Sequence, residues 1–290
     1  ALGVLGPLRR GGALHHLGRF DPVALAAALE GGATLVFGVP TMYHRLAAEA
    51  ADDPRLAAAL ARARLLVSGS AALPAPDFER IERLTGQRIA ERYGLTETLI
   101  DTAVAAGGQR RPGYVGPPLP GVELRLLADD GSELTERDDE TLGEVAVRGP
   151  NLFSGYLNRP EATAAALRDG WFHTGDIAVR APDGYLRIVG RRSTDLIKTG
   201  GYKVGAGEVE TALLRHPGVG EAAVLGAPDD DLGERIVAFV VRAGASVGAD
   251  ELIDHVAAQL APHKRPRELR FVDALPRNAM GKVVKQRLRI

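Results

Sequence analysis

Apolar and polar positions alternate in short blocks along this chain, and the blocks predict strands and helices in turn. Ala33 to Val39 (ATLVFGV) is an apolar run of strand length. Pro40-Thr41 punctuates it before a helical pattern that starts near Met42. Leu65-Leu66-Val67 is a second short strand, and Ala75 to Leu84 is a helix with Phe78 and Ile81 on one face. Gln87 to Arg92 is a third strand, leading into Tyr93-Gly94-Leu95-Thr96-Glu97-Thr98. Strands alternating with helices in this way imply a largely parallel α/β layer, whose ligands collect at the carboxyl ends of the strands.

From about Gly107 the pattern changes. Dense Pro and Gly punctuation precedes short strands at Val122 to Leu127 and Glu144 to Val147, which predicts a small β-rich subdomain. Asp129-Asp130-Gly131 and Glu136 to Glu140 read as solvated acidic loops. The stretch from Trp171 to Glu210 then organises the whole chain. Gly175-Asp176 is expected to be a tight turn presenting a carboxylate, and Ile177 to Val179 and Tyr185 to Val189 are expected to form a hairpin. A charged joint, Arg191 to Asp195, follows. Leu196-Ile197-Lys198 restarts a strand, Gly200-Gly201 turns it, and a helix begins near Glu208. Strands at Glu221 to Leu225, Arg235 to Val241 and Glu268 to Val272, with a helix at Glu251 to Leu260, complete a compact α+β unit.

The expected architecture is therefore α/β. Residues 1–192 form part of a large domain (1–106 the α/β layer, 107–192 the β-rich subdomain), and 193–290 form a small α+β domain hinged near Ser193.

Composition narrows the function more than the fold. Of 290 residues 45% are hydrophobic and 25% charged, the net charge is −1, and there is no cysteine. A near-neutral chain argues against nucleic acid or an acidic membrane surface as partner. Without cysteine, thiol nucleophiles, zinc–thiolate sites and disulfides are excluded, and a cytoplasmic setting is expected. No apolar run nears the ~20 residues of a membrane span. The His residues lack metal-ligand spacing.

Chemistry-bearing residues sit at the strand ends and the joint. Tyr93, Thr96 and Glu97 place a ring, a hydroxyl and a carboxylate in one loop, suited to a base, a phosphate and Mg²⁺. The same loop also reads as an ordinary helix start with an acid near its amino end. Asp176 and Arg191 flank one hairpin and could hold a ribose diol, one accepting and the other donating hydrogen bonds. Ser68-Gly69-Ser70-Ala71-Ala72 lacks the spacing of a nucleophile elbow, so its small side chains are expected to let a flat ligand approach the backbone.

Taken in order, SGSAALP, ERYGLTET, GEVAVRGPNLFSGYLNRPEAT, GWFHTGDIA, GYLRIVGRRSTDLIKTGGYKVGAGEVE and PRNAMGK resemble the adenylate-forming superfamily of acyl-CoA synthetases, adenylation domains and luciferases. GVPTMYHR, LLVSGSAALP and LIKTGGYKVGAGEVE bring the likeness nearest to bacterial malonyl-CoA (methylmalonyl-CoA) synthetases. The resemblance implies ATP, Mg²⁺ and coenzyme A, and an acyl-adenylate made from malonate or methylmalonate. It assigns the nucleotide to Ser70, Ala71, Ala72, Glu91, Arg92, Tyr93, Gly94, Thr96, Asp176 and Arg191, with Glu97 on the metal. Lys282, Thr96 and Glu97 become the catalytic set, and Arg45 with Ser70 meets the distal carboxylate of the diacid. Lys198, Gly200, Gly201 and Tyr202 would guide pantetheine, and Ser193 stands at the hinge where Asp or Lys is common. The context of Lys282 also resembles that of synthetases switched off by a lysine acetyltransferase.

The family's Ser/Thr/Gly-rich phosphate loop occurs nowhere in the sequence. The expectation is a carboxyl-terminal part of a longer enzyme, against an inactive relic. Competing readings are another acyl-CoA synthetase, an amino-acid adenylation domain, and a non-catalytic AMP- or CoA-binding module.

Overall fold

The computed structural model describes residues 2–244, 246–278 and 283–288. Its elements fall into three sheets. The first part holds α1 (Leu2–Arg9), α2 (Pro22–Glu30), β1 (Leu35–Gly38), α3 (Pro40–Glu49), α4 (Pro54–Arg62), β2 (Leu65–Ser68), α5 (Ala75–Thr85), β3 (Ala90–Tyr93) and β4 (Thr102–Ala103). The sheet order is β1-β2-β3-β4, with the first three strands parallel and β4 antiparallel. Proline opens α2, α3 and α4, where its missing N–H costs nothing and its φ is already helical. Asp21 and Asp53 cap α2 and α4 by accepting N–H bonds from Val23, and from Arg55 and Leu56. Phe78 and Ile81 are fully buried beside Leu46, Leu60 and Leu66, as the helical spacing predicts. Each buried side chain of this size contributes roughly 1.5–3 kcal/mol. The third strand begins at Ala90 rather than Gln87, and the Gln87 side chain donates to the Ala61 and Ala63 carbonyls.

The second sheet is antiparallel. It comprises β5 (Tyr114–Gly116), β6 (Glu123–Leu127), β7 (Glu133–Leu134), β8 (Gly143–Arg148), the short helix α6 (Pro160–Ala166), β9 (Leu167–Arg168), β10 (Trp171–Arg180) and β11 (Leu186–Arg191), in the order β5-β11-β10-β8-β6-β7. Here one expectation is corrected. Gly175-Asp176 is not a turn but part of a bulge within the continuous strand β10, between His173 and Ile177. Gly175 adopts φ +71°, and the displaced polar groups are satisfied locally. Thr174 Oγ1 donates to the Val145 carbonyl at 2.8 Å, and Gly175 N–H donates to Glu144 at 3.1 Å.

The third sheet contains β12 (Leu196–Thr199), β13 (Tyr202–Gly205), β14 (Val219–Asp229), β15 (Gly233–Arg242) and β16 (Glu268–Phe271), with α7 (Ala206–Leu214) and α8 (Ala249–Ala257) on one face. Val209, Leu213, Leu252 and Val256 are buried between them. The acidic loops are largely exposed, as expected, and two of their carboxylates also find partners. Asp129 pairs with Lys203 at 2.5 Å and with Arg192 at 3.5 Å, tying the second sheet to the third. Asp139 accepts from Tyr114 and faces Arg187. Among the described residues, no helix is long and apolar enough to cross a membrane.

Candidate active site

The carboxyl ends of β2 and β3 and the bulge of β10 converge on one crevice. After β2 the backbone passes through Ser70 at φ +75°, a left-handed conformation that costs a non-glycine residue about 1 kcal/mol or more. Ser70, Ala71 and Ala72 are exposed there, so the loop offers backbone rather than bulk. Leu73 turns back into the core, and its N–H points at Glu91.

Glu91 is 4% exposed and has no cationic partner among the described residues. Its carboxyl instead accepts N–H bonds from Gly113 at 2.7 Å and from Leu73 at 3.4 Å. Burial pushes its pKa up to about 7, against the lowering effect of the two N–H groups. One side chain thus fastens the Ser70 loop to the connection between the first and second sheets.

Tyr93 ends β3 with its ring among Val115, Val145 and Ala178. Its hydroxyl donates to Asp176 Oδ2 at 2.7 Å. Asp176, only 6% exposed, also receives the Arg191 guanidinium, with Nε 2.8 Å from Oδ1. The structure thus brings Asp176 and Arg191 together and anchors them to the Tyr93 hydroxyl. Burial, then the charge of Asp176, raises the Tyr93 phenol, which stays protonated and able to donate.

The loop from Gly94 to Thr98 is held from below. Thr98 donates to Asp101 at 2.6 Å and accepts from the Leu95 N–H. Asn151 Nδ2 reaches both Asp101 Oδ1 and the Thr98 carbonyl. Asp101 is fully buried, and burial lifts its pKa to about 6. With that base fixed, Thr96 is exposed at the tip. Glu97 is held at both ends: Tyr156 donates its hydroxyl to Oε1 at 2.9 Å, and Phe153 N–H donates to its carbonyl at 2.8 Å. Sequence reasoning did not single out Asn151, Phe153 or Tyr156. Their signal was a polar and aromatic run, Asn-Leu-Phe-Ser-Gly-Tyr, with neither strand nor helix period.

Among the described residues no group of three His, Asp or Glu could enclose a metal. A single ordered carboxylate at Glu97 nevertheless fits Mg²⁺, which takes one or two carboxylates and completes its shell with substrate phosphates and water.

Other predicted residues stand apart from this crevice. Arg45 lies on the outer side of α3 with its side chain 56% exposed, 3.7 Å from Glu49 and over the Phe20 ring. Among the described residues no hydrogen bond joins it to Ser70. Ser193 is exposed, and Lys198, Gly200 and Gly201 form an open tip. Beside them Tyr202, 55% exposed, stacks on His263 with centroids 4.1 Å apart. Lys282 lies outside the described residues. The chain on either side of it is anchored: Arg277 bridges Val283, and Val284 N–H donates to the Pro276 carbonyl at 2.8 Å.

A sequence profile of AMP-binding enzymes matches residues 1–157, and one of the AMP-binding enzyme C-terminal domain matches 208–282. The chain belongs to the AMP-binding enzyme family. Among the relatives of this AMP-binding enzyme, a malonate–CoA ligase of Arabidopsis thaliana is 42% identical over 273 residues, spanning 88% of this chain and 44% of that protein. A solved malonyl-CoA ligase, in a ternary product complex with methylmalonyl-CoA and AMP, is 63% identical with a TM-score of 0.64, covering 95% of this chain and 60% of that one. ATP-bound MatB from Rhodopseudomonas palustris is 41% identical with a TM-score of 0.86, covering 95% of this chain and 54% of that one. The chain thus spans about half the length of the curated relatives it matches.

Proposed function

We propose that this chain is part of an ATP-dependent acid–CoA ligase that makes malonyl-CoA or methylmalonyl-CoA, releasing AMP and pyrophosphate. The observation that carries the reading is the linked set Tyr93–Asp176–Arg191. It is an acceptor and a donor held rigidly at a strand end, next to an ordered acid at Glu97. That set suits a nucleotide whose ribose meets Asp176 and Arg191 and whose phosphates run toward Thr96 and Glu97. The names of the relatives support malonate and methylmalonate as the acids, with CoA as acceptor.

In the first step a carboxylate oxygen bonds to the α-phosphorus of ATP and pyrophosphate leaves. In the second, the CoA sulfur bonds to the acyl carbon and AMP leaves. Both steps need anions brought together, so the residues here act by holding and by neutralising. Arg191 and Asp176 fix the sugar, and Thr96 donates to the α-phosphate. Glu97, oriented by Tyr156, would hold Mg²⁺. That ion, when bound, offsets phosphate charge. Lys282 would add a second positive charge at the carboxylate and α-phosphate, and acetylation by a lysine acetyltransferase would remove it.

The boundary near Ser193 and rotation of residues 193–290 belong to this reading. The chain overlays the ATP-bound relative more completely than the product complex, despite lower identity to it. A large rigid-body difference in the smaller part would produce that inversion. Lys198, Gly200, Gly201 and Tyr202 would then serve the thiol step after rotation. The reaction would run in the cytoplasm or another reducing compartment. The test is pyrophosphate exchange into ATP, dependent on malonate or methylmalonate, in a chain carrying the full length of the relatives. Exchange without a diacid requirement would refute the reading.

A further inference from the structure

We propose that Asp101, with its carboxylate ionised, is the positioning residue for the loop that presents Thr96 and Glu97 to the phosphates and their metal. The inference rests on the ligase reading above and extends it to a side chain buried beneath that loop.

The loop is closed on itself and strained. Asp101 N–H donates to the Tyr93 carbonyl at 2.9 Å, and Leu119 N–H donates to the Asp101 carbonyl at 2.9 Å. Within that closure the Leu95 carbonyl accepts from the N–H groups of Thr98 and Leu99. Leu99 then takes φ +62°, a left-handed conformation that persists in a non-glycine residue only where its surroundings hold it. Gly94 packs on the same backbone, where a Cβ would lie 2.3 Å from the Leu99 carbonyl oxygen.

The Asp101 side chain fastens this turn from inside. Its Oδ2 accepts from the Thr98 hydroxyl at 2.6 Å, and the Thr98 oxygen accepts from Leu95 N–H at 3.1 Å. Its Oδ1 accepts from Asn151 Nδ2 at 3.0 Å, which also reaches the Thr98 carbonyl at 2.7 Å. Thr98 and Asp101 are both fully buried. Both neighbours donate, so the position calls for a side chain that accepts on two oxygens, which a carboxylate does. An amide or a protonated acid turns one arm into a donor. The Thr98 oxygen would then accept twice, and its own hydrogen would lose its partner.

Asn151 ties that base to Glu97. It lies in the segment after β8, whose Phe153 N–H and Tyr156 hydroxyl hold Glu97 at its carbonyl and carboxylate. Gly149 lets the amide turn inward, since a Cβ there would lie 2.5 Å from Asn151 Oδ1. One segment thus grips the loop at Glu97 and, through Asp101, at its root. A shift at the root moves Thr96 and Glu97 together.

The protonation state of Asp101 is open to test near neutral pH. Burial lifts the carboxyl to about 6 against the lowering effect of Thr98 and Asn151, and the charge of Asp176 on β10 adds to the rise. The Tyr93 phenol on β3 also feels its charge. The carboxyl is therefore ionised at pH 8 and mostly neutral at pH 5.

The experiment compares wild type, Asp101→Asn, Thr98→Val and Thr98→Ser in a chain of the relatives' full length. Mn²⁺ binding in the presence of α,β-methylene-ATP is read by electron paramagnetic resonance at both pH values, beside malonate-dependent pyrophosphate exchange. At pH 8 wild type should bind Mn²⁺ about tenfold more tightly than Asp101→Asn or Thr98→Val, with Thr98→Ser near wild type. At pH 5 the gap between wild type and Asp101→Asn should close to within about threefold, since both then lack the charge. Protonation of the nucleotide is common to all four and cancels in the ratio. Equal Mn²⁺ affinities at pH 8 overturn the assignment, even if the variants melt earlier. A gap that persists at pH 5 also overturns it, because shape rather than charge would then matter. If Asp101→Asn does not fold, Thr98→Val against Thr98→Ser decides, and equal affinities overturn the assignment. Failure of wild type to exchange with malonate, with the Mn²⁺ gap intact, refutes the ligase reading alone.

Discussion

Arg191 and Asp176 are direct cross-strand partners in β10 and β11, and their side chains meet at 2.8 Å. Tyr93 donates to the second oxygen of the same carboxylate. Asp176 therefore joins three segments of the chain while remaining only 6% exposed. Asp176→Ala should weaken AMP binding by about tenfold or more, and leaving the Tyr93 hydroxyl unpaired should cost roughly 1–3 kcal/mol of stability. Calorimetric titration with AMP and thermal unfolding check the two effects separately.

Tyr156 holds Glu97 through its hydroxyl, which donates to Oε1 at 2.9 Å. In Tyr156→Phe the Mg²⁺ concentration for half-maximal pyrophosphate exchange should rise about tenfold, as expected when a partner orienting a ligand is lost. An unchanged Mg²⁺ requirement would show that Glu97 is ordered by other means.

Glu91 gives the protein a pH signature. Its folded pKa is raised to about 7 from an ordinary 4.5, so the folded state keeps a proton that the unfolded chain releases. Its contribution to stability falls as pH rises from about 4.5 to about 7 and stays low above that. Glu91→Gln removes the penalty, on the order of 2–3 kcal/mol at pH 8. Denaturant unfolding should show the variant gaining on wild type across that pH window. A pH-independent difference would contradict the assignment.

Lys285 lies 2.7 Å from both Asp195 and Glu210 and ties the tail to the joint and to α7. Burial opposes its charge, but Glu210 and Asp195 outweigh that and raise its pKa. Lys285→Met leaves two partly buried carboxylates facing each other and should cost about 3 kcal/mol. Because Lys285 sits three residues from Lys282, adenylate formation should fall more than thioester formation from supplied acyl-adenylate. Equal losses in the two half-reactions would assign Lys285 to stability alone.

Much of the frame was legible in the sequence. The strands β1 and β2 and the helices α5 and α7 follow from hydrophobic period and turn residues, which act locally, whereas the ion pair between Asp176 and Arg191 is set by the register of β10 against β11. The helices α2 and α4 were missed although Asp21-Pro22 and Asp53-Pro54 are good starts. The alanine-rich α2 gives little contrast between buried and exposed positions, whereas α4 does carry a helical period, with Leu56, Ala59 and Leu60 buried and Arg55 and Arg62 exposed. The bulge at Gly175 could not be told from a turn, because Gly-Asp permits both, and only the register against β8 decides. Tyr156 on Glu97 and Phe37 under Arg92 are contacts between segments distant in sequence. No local pattern encodes them.

The central claim is that this crevice activates a diacid as its adenylate. The most direct measurement is ATP–pyrophosphate exchange with malonate, methylmalonate, acetate and butyrate in a chain carrying the full length of the relatives. The account predicts exchange with the two diacids and little with the two monoacids. Equal exchange with acetate or butyrate, or AMP binding with no exchange at all, would contradict it.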